Sequence, residues 1–192
     1  SLTGAAGLAM SAAGAARLPA VLRTLNALQL CLVCTPRLWQ QARNEFRAAL
    51  PASAFEAIST QLDAASSVEA ALSSTLEGGL SQLSAMLMPR LKPKLDAFAS
   101  RSYALGSEDE LARAEGTSFV GPLLAELEAT LQAMREHLAP EVGEALLQNL
   151  VGEIAARLEA QLLTKRVDLY GALQFELDVR ALGKRLAELS VH

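Results

Sequence analysis

Between Phe55 and Phe98 the apolar residues return at steps of three and four: Phe55, Ile58, Leu62, Ala65, Val68, Leu72, Leu76, Leu80, Leu83, Leu87, Leu91, Leu95 and Phe98. Only an α-helix gathers residues so spaced onto one face. A continuous helix over 53–104 would span roughly 78 Å at 1.5 Å per residue. That is far longer than a compact domain of this size needs, so the stripe alone predicts an extended helical architecture. Gly78-Gly79, Pro89 and Pro93 lie on it and are expected to weaken or bend the helix.

The rest of the chain follows the same period. A first helix is expected over about 18–34, with Pro36 interrupting it and a shorter helix over 37–50 that carries Trp39 and Phe46. Pro51 breaks the chain, and Ser53 with Glu56 reads as a capping box opening the long helix. Ser107 and Glu110 repeat that signature ahead of a short acidic turn that Gly116 ends. The next helix carries Phe119, Leu123, Leu127, Leu131, Met134 and Leu138. Pro140 opens another at its tolerated first position, with Glu141 and Glu144 suited to the helix dipole. Gly171 is expected to separate a last helix over about 175–190.

Composition agrees. Of 192 residues 51% are apolar and only 4% aromatic, and leucine and alanine favour helix where strands favour aromatic and β-branched residues. No segment shows strict alternation, the connections are short, and no repeat of fixed period appears. The expected fold is all-α: an elongated antiparallel helical bundle or rod. Residues 1–16, rich in Gly, Ala and Ser, read as a flexible lead-in, and 17–192 as a single helical module.

Several functions are disfavoured. Net charge is −4, with acids and bases mixed along the segments, which argues against a nucleic-acid partner. No uncharged stretch reads as a membrane span. Histidine occurs only at His137 and His192, and no Glu-x-x-His or His-Glu-x-x-His exists, so a metal site of either type is excluded on spacing. Cys31-Leu-Val-Cys34 lacks the βαβ setting of a redox pair and the second pair of a zinc site. The two thiols share a helical face with Ala27 and Leu28 and are expected to pack as small hydrophobes. Glu108-Asp109-Glu110 reads as a solvated helix start, and Arg90, Lys92 and Lys94 as a solvated kink. Gly-x-Gly-x-x-Gly, Gly-x-x-x-x-Gly-Lys and Gly-x-Ser-x-Gly are absent. No catalytic residue, cofactor or metal is expected.

One stretch carries a resemblance. Leu163 to Leu182 runs through Gly171-Ala-Leu173-Gln174-Phe175, then Asp178, Arg180 and Leu182. It resembles the Gly-Gly/Ala-Leu-Gln-Phe-Asp-x-Glu/Asp-Leu/Val-Arg-x-Leu stretch of subunit 4 of the conserved oligomeric Golgi complex, in its C-terminal region. Leu25-Asn26-Ala-Leu-Gln-Leu-Cys31, Leu91-Lys92-Pro93 and the helix from Phe119 to Glu128 follow in the same order. The resemblance covers about 25–190, part of a longer subunit. It implies a non-catalytic vesicle-tethering subunit at the cytoplasmic face of the Golgi, peripheral to the membrane. Intra-Golgi retrograde transport and Golgi organisation would be its task, with other tether subunits and SNARE-type trafficking proteins as partners. Within the motif, Leu173 and Phe175 are expected to pin a glycine-marked turn onto the bundle. Two other readings compete. A generic helical scaffold or coiled-coil protein would show sustained heptads, whereas this stripe slips register; a subunit of a related tether would share the same helical architecture. An enzyme would need convergent polar groups on inward faces.

Overall fold

The computed structural model describes residues 12–64, 66–115 and 118–190. Side-chain surroundings are described from Arg17, without residues 62–66 and 115–117 or anything beyond Leu189. Among the described residues the chain forms seven α-helices: α1 Ala12–Ala49, α2 Ala52–Ala64, α3 Ser66–Ser100, α4 Glu108–Glu115, α5 Val120–Arg135, α6 Pro140–Leu162 and α7 Leu169–Ser190. No strand is present among them, only a single parallel bridge between Tyr103 and Val167. The all-α reading holds. Residues 1–11 of the expected lead-in lie outside the described residues, as do Gly116 and His192.

α3 is the axis. From Leu76 its stripe sinks: Leu83, Leu87, Leu91 and Phe98 have no exposed surface, and Leu76, Leu80 and Leu95 are buried too, whereas Val68 near the start of the helix is exposed. Pro89 and Pro93 lie inside the helix without ending it. Each interior proline costs about 3 kcal/mol, roughly 6 kcal/mol for the pair. Burying Leu87, Leu91, Leu95 and Phe98 stabilises by about 1.5–3 kcal/mol each, so packing outweighs the lost backbone bonds. The structure also departs from the expected break at Pro36. α1 runs unbroken through Pro19 and Pro36 to Ala49, because Leu28 and Leu32 on the preceding turns stay packed against the core. Ser53 falls in the first turn of α2 and not at its cap, since that helix starts at Ala52 with the Phe55 N–H bonded to the Pro51 carbonyl.

Direction follows from long-range contacts. The Arg90–Glu126 ion pair and the Phe98–Phe119 ring contact set α5 antiparallel to α3. A turn over 136–139 then reverses the chain into α6. The Ser84 hydroxyl bonds the Glu153 carboxylate, and Lys165, just past α6, reaches the end of α3. α3 and α6 are therefore parallel neighbours, with α5 as the return stroke between them. α7 runs parallel to α5, from the Ser118–Asp178 bond to the Arg135–Leu189 bond.

α1 lies on this layer. Leu18, Leu22 and Leu25 are buried, and Leu25 presses onto Gly79, where a Cβ would come within 2.7 Å of its Cδ2. Gly79 therefore permits a close helix crossing and does not break α3. Asn26 fixes the register. Its amide donates to the His137 carbonyl (2.8 Å), and its oxygen accepts from the Ala139 N–H (2.8 Å). Beyond Leu25 α1 is mostly exposed. Contrary to the sequence reading, Arg17–Ala49 is by length and composition apolar enough to cross a membrane, with a mean hydropathy of 1.4 in its most apolar window. Only one charge, Arg23, falls between Leu18 and Thr35.

Candidate functional site

Where α3 ends, the chain gathers its polar side chains. The node centres on Asp178, which is 3% exposed. Its carboxylate accepts from the Tyr103 hydroxyl (2.9 Å), the Ser118 hydroxyl (2.7 Å) and the Gln174 amide (3.1 Å), with the Arg101 Nε at 3.9 Å. A buried carboxylate is tolerated only when its oxygens are so engaged. Burial and the bond to Asp178 both push the Tyr103 hydroxyl well above its usual range, so it remains a donor. Ser118 also accepts from the Val120 N–H at the start of α5. Arg101 donates to the Ala114 carbonyl, near the end of α4 (2.6 Å), and lies against the Tyr103 ring.

Two further groups close the node. The Lys165 ammonium donates to the Ala99 and Arg101 carbonyls at 2.7 and 2.6 Å, over the Phe98 ring. It meets the carbonyls that a helix C-terminus leaves unpaired, where a cation also suits the dipole. Burial lowers its pKa. Asp168 caps α7: one carboxylate oxygen takes the Gly171 N–H and the other the Gly106 N–H, each at 2.7 Å. Those bonds hold its carboxyl below the usual range, with Gly171 the larger cause. Gly106 has φ +69°, the left-handed conformation that glycine adopts without strain.

Each residue of the motif singled out from sequence has a place here. Gly171 is buried in the first turn of α7 and does not precede the helix. A Cβ on it would lie 1.6 Å from the Tyr103 carbonyl oxygen. Gln174 and Asp178, one turn apart, face the node. Phe175 is half-buried, edge-on to Tyr103 (5.7 Å) and 6.4 Å from Phe98. Leu173 does not pin the turn: it is 44% exposed. Arg180 is exposed and pairs with Glu176, and Leu182 packs at the edge of the core. Sequence reasoning missed Arg101, Tyr103, Ser118, Lys165 and Asp168. Asp168 had a signal, an aspartate three residues before a glycine at a helix start. Arg101, Tyr103 and Ser118 come from loops 60 or more residues before Asp178 and carried none, and Lys165, though inside the motif's own stretch, bonds carbonyls 64 and 66 residues earlier.

The cysteines also differ from expectation. Both are free; Cys31 is exposed and Cys34 half-exposed, so they lie on the outer face of α1 and not in the core. Among the described residues no group of three His, Cys, Asp or Glu could hold a metal. Apart from the Gln174 bond within α7, the hydroxyl bonds to Asp178 tie the loop after α3 and the start of α5 to α7. The chemistry of the node is that of a fastener.

Fold and node thus define a helical packing module whose polar interior locks helix termini together. The family model described as conserved oligomeric Golgi complex subunit 4, C-terminal, matches residues 21–190, and the chain belongs to that family. The conserved oligomeric Golgi complex subunit 4 of Drosophila melanogaster is 32% identical over 120 residues, 62% of this chain and 16% of the relative. Its Arabidopsis thaliana counterpart is 33% identical over 108 residues, 56% of this chain and 14% of the relative. The matched stretch is thus a small part of either relative's length.

Proposed function

We propose that this chain is the C-terminal part of a non-catalytic subunit of the Golgi tethering complex and works through protein–protein contacts. The observation that carries this is the match to the subunit 4 C-terminal family over nearly the whole chain. The interior supports it: the largest cluster of buried polar groups among the described residues, around Asp178, joins the 101–107 loop, the start of α5 and α7. The subunit acts in intra-Golgi retrograde transport and Golgi organisation, peripheral to the cytoplasmic face of the membrane, beside other tether subunits and SNARE-type trafficking proteins. Its mechanism is mechanical. α3 alone extends about 52 Å at 1.5 Å per residue, and a locked bundle on that axis holds binding surfaces at fixed spacing while a vesicle is captured.

The test is depletion of the full-length protein in its own cells. Golgi glycosyltransferases should disperse and surface glycans become under-processed, with rescue by the intact protein. Normal enzyme distribution together with normal glycans would leave only a helical scaffold with no tethering role.

A further inference from the structure

Ala27, Leu30, Cys31, Cys34 and Leu38 recur at three- and four-residue steps on the face of α1 turned away from the core. Leu30 and Leu38 are each 63% exposed. The opposite face holds Leu18, Leu22 and Leu25 in the bundle, so α1 is apolar on two sides, the pattern of a helix sandwiched between partners. The outer seam has the step of a coiled-coil seam, and its small residues, Ala27 and the two cysteines, leave hollows for the knobs of another helix.

Charge narrows the choice of occupant. From Ala12 to Asn44 the helix carries Arg17, Arg23, Arg37 and Arg43 and no acid, in a chain of net charge −4. Arg23 and Arg37 flank the seam, are exposed and take part in no ion pair among the described residues. A second copy would bring another acid-free, arginine-bearing face. Lipid fits less well. Asn26 and the three buried leucines clamp α1 to the bundle, and Trp39, the aromatic suited to a headgroup layer, keeps its indole nitrogen buried. A seam of about three turns is also too short for a tight free-standing complex, so its occupant must be held nearby by other contacts.

Resting on the tether reading above, we propose that this face of α1 docks an α-helix of another subunit of the same complex, one with an apolar seam flanked by Asp or Glu. In the purified full-length protein within its complex, Cys31 and Cys34 should react with iodoacetamide at least about tenfold more slowly than in the subunit alone. A photo-crosslinker carried on Cys34 should capture an acid-flanked helical peptide of another subunit. Leu30→Asp with Leu38→Asp should remove the protection with helical circular dichroism unchanged. Arg37→Glu should weaken the protection, and a Lys in place of the captured acid should restore it. Capture of a second copy, of another stretch of its own chain or of anionic phospholipid from added vesicles would overturn the proposal. So would equal thiol reactivity with and without the complex. Failure to co-purify with any tether subunit would remove the tether reading and this inference together. Co-purification with unprotected thiols would remove this inference alone.

Discussion

Gly171 shows how one missing atom positions a helix. With a Cβ 1.6 Å from the Tyr103 oxygen, the backbones of α7 and the 101–107 loop could not approach. The obstacle is the Tyr103 backbone and not a flexible side-chain end, so Gly171→Ala should exceed the usual cost of overpacking, at about 3 kcal/mol or more; chemical denaturation of the variant measures it. Asp168 makes a pH-dependent counterpart. Its folded-state pKa lies below the unfolded value, so its contribution is complete above about pH 4 and disappears as pH falls through the lower, folded value. Acid titration followed by NMR should show the Gly106 and Gly171 amides losing their bonded shifts in that window, and Asp168→Asn should abolish the shift change. The sequence made Gly171 visible, but as a separator. Glycine in a turn and glycine under a close backbone look alike until the second backbone is in place.

At the scale of the element, period was legible and termination was not. The stripe of α3, the proline start of α6 and the Ser107 cap, whose hydroxyl accepts the Glu110 N–H, follow from local rules. Two expected breaks did not occur: Pro36 and Gly171 lie within helices, because tertiary packing overrode local propensity, and the expected cap at Ser53 falls inside α2. Pro36 is exposed and packs little, so its cost remains in the native helix. Pro36→Ala should therefore raise stability by about 1–3 kcal/mol, seen as a higher melting temperature. The two glycines of α3 should separate. Nothing lies within 4 Å of a Cβ at Gly78, whereas one at Gly79 strikes Leu25. Gly78→Ala should stabilise by about 0.5–1 kcal/mol, and Gly79→Ala should lose that gain or reverse it. Equal melting shifts for the two variants would refute the crossing at Gly79.

Across the whole molecule burial is uneven. The deep core runs through the middle of α3, α5 and α6 with the first turns of α1, whereas α2 and the second half of α1 carry exposed faces. Local opening needs least free energy where few apolar contacts are lost. Hydrogen exchange should therefore be slowest for Leu83–Phe98, Leu123–Met134 and Leu146–Ile154 and fastest, among the helices, for α2 and the second half of α1. Uniform protection would show that the outer helices are as firmly held as the core. This ordering was not legible from sequence: Leu30 and Leu87 belong to equally regular stripes, and only the packed neighbours distinguish them.

The Asn26 bracket carries a consequence for biosynthesis. Its two partners, His137 and Ala139, lie 111 and 113 residues further along the chain. A ribosome adding about 5–20 residues per second makes α1 roughly 6–22 s before the turn that fixes its register exists. During that interval both apolar sides of α1 face solvent, the inner one until α3, α5 and α6 emerge to receive it. A nascent chain with so long a wait is a natural client for chaperones that bind exposed apolar helices, and truncation before residue 139 would leave α1 without its anchor.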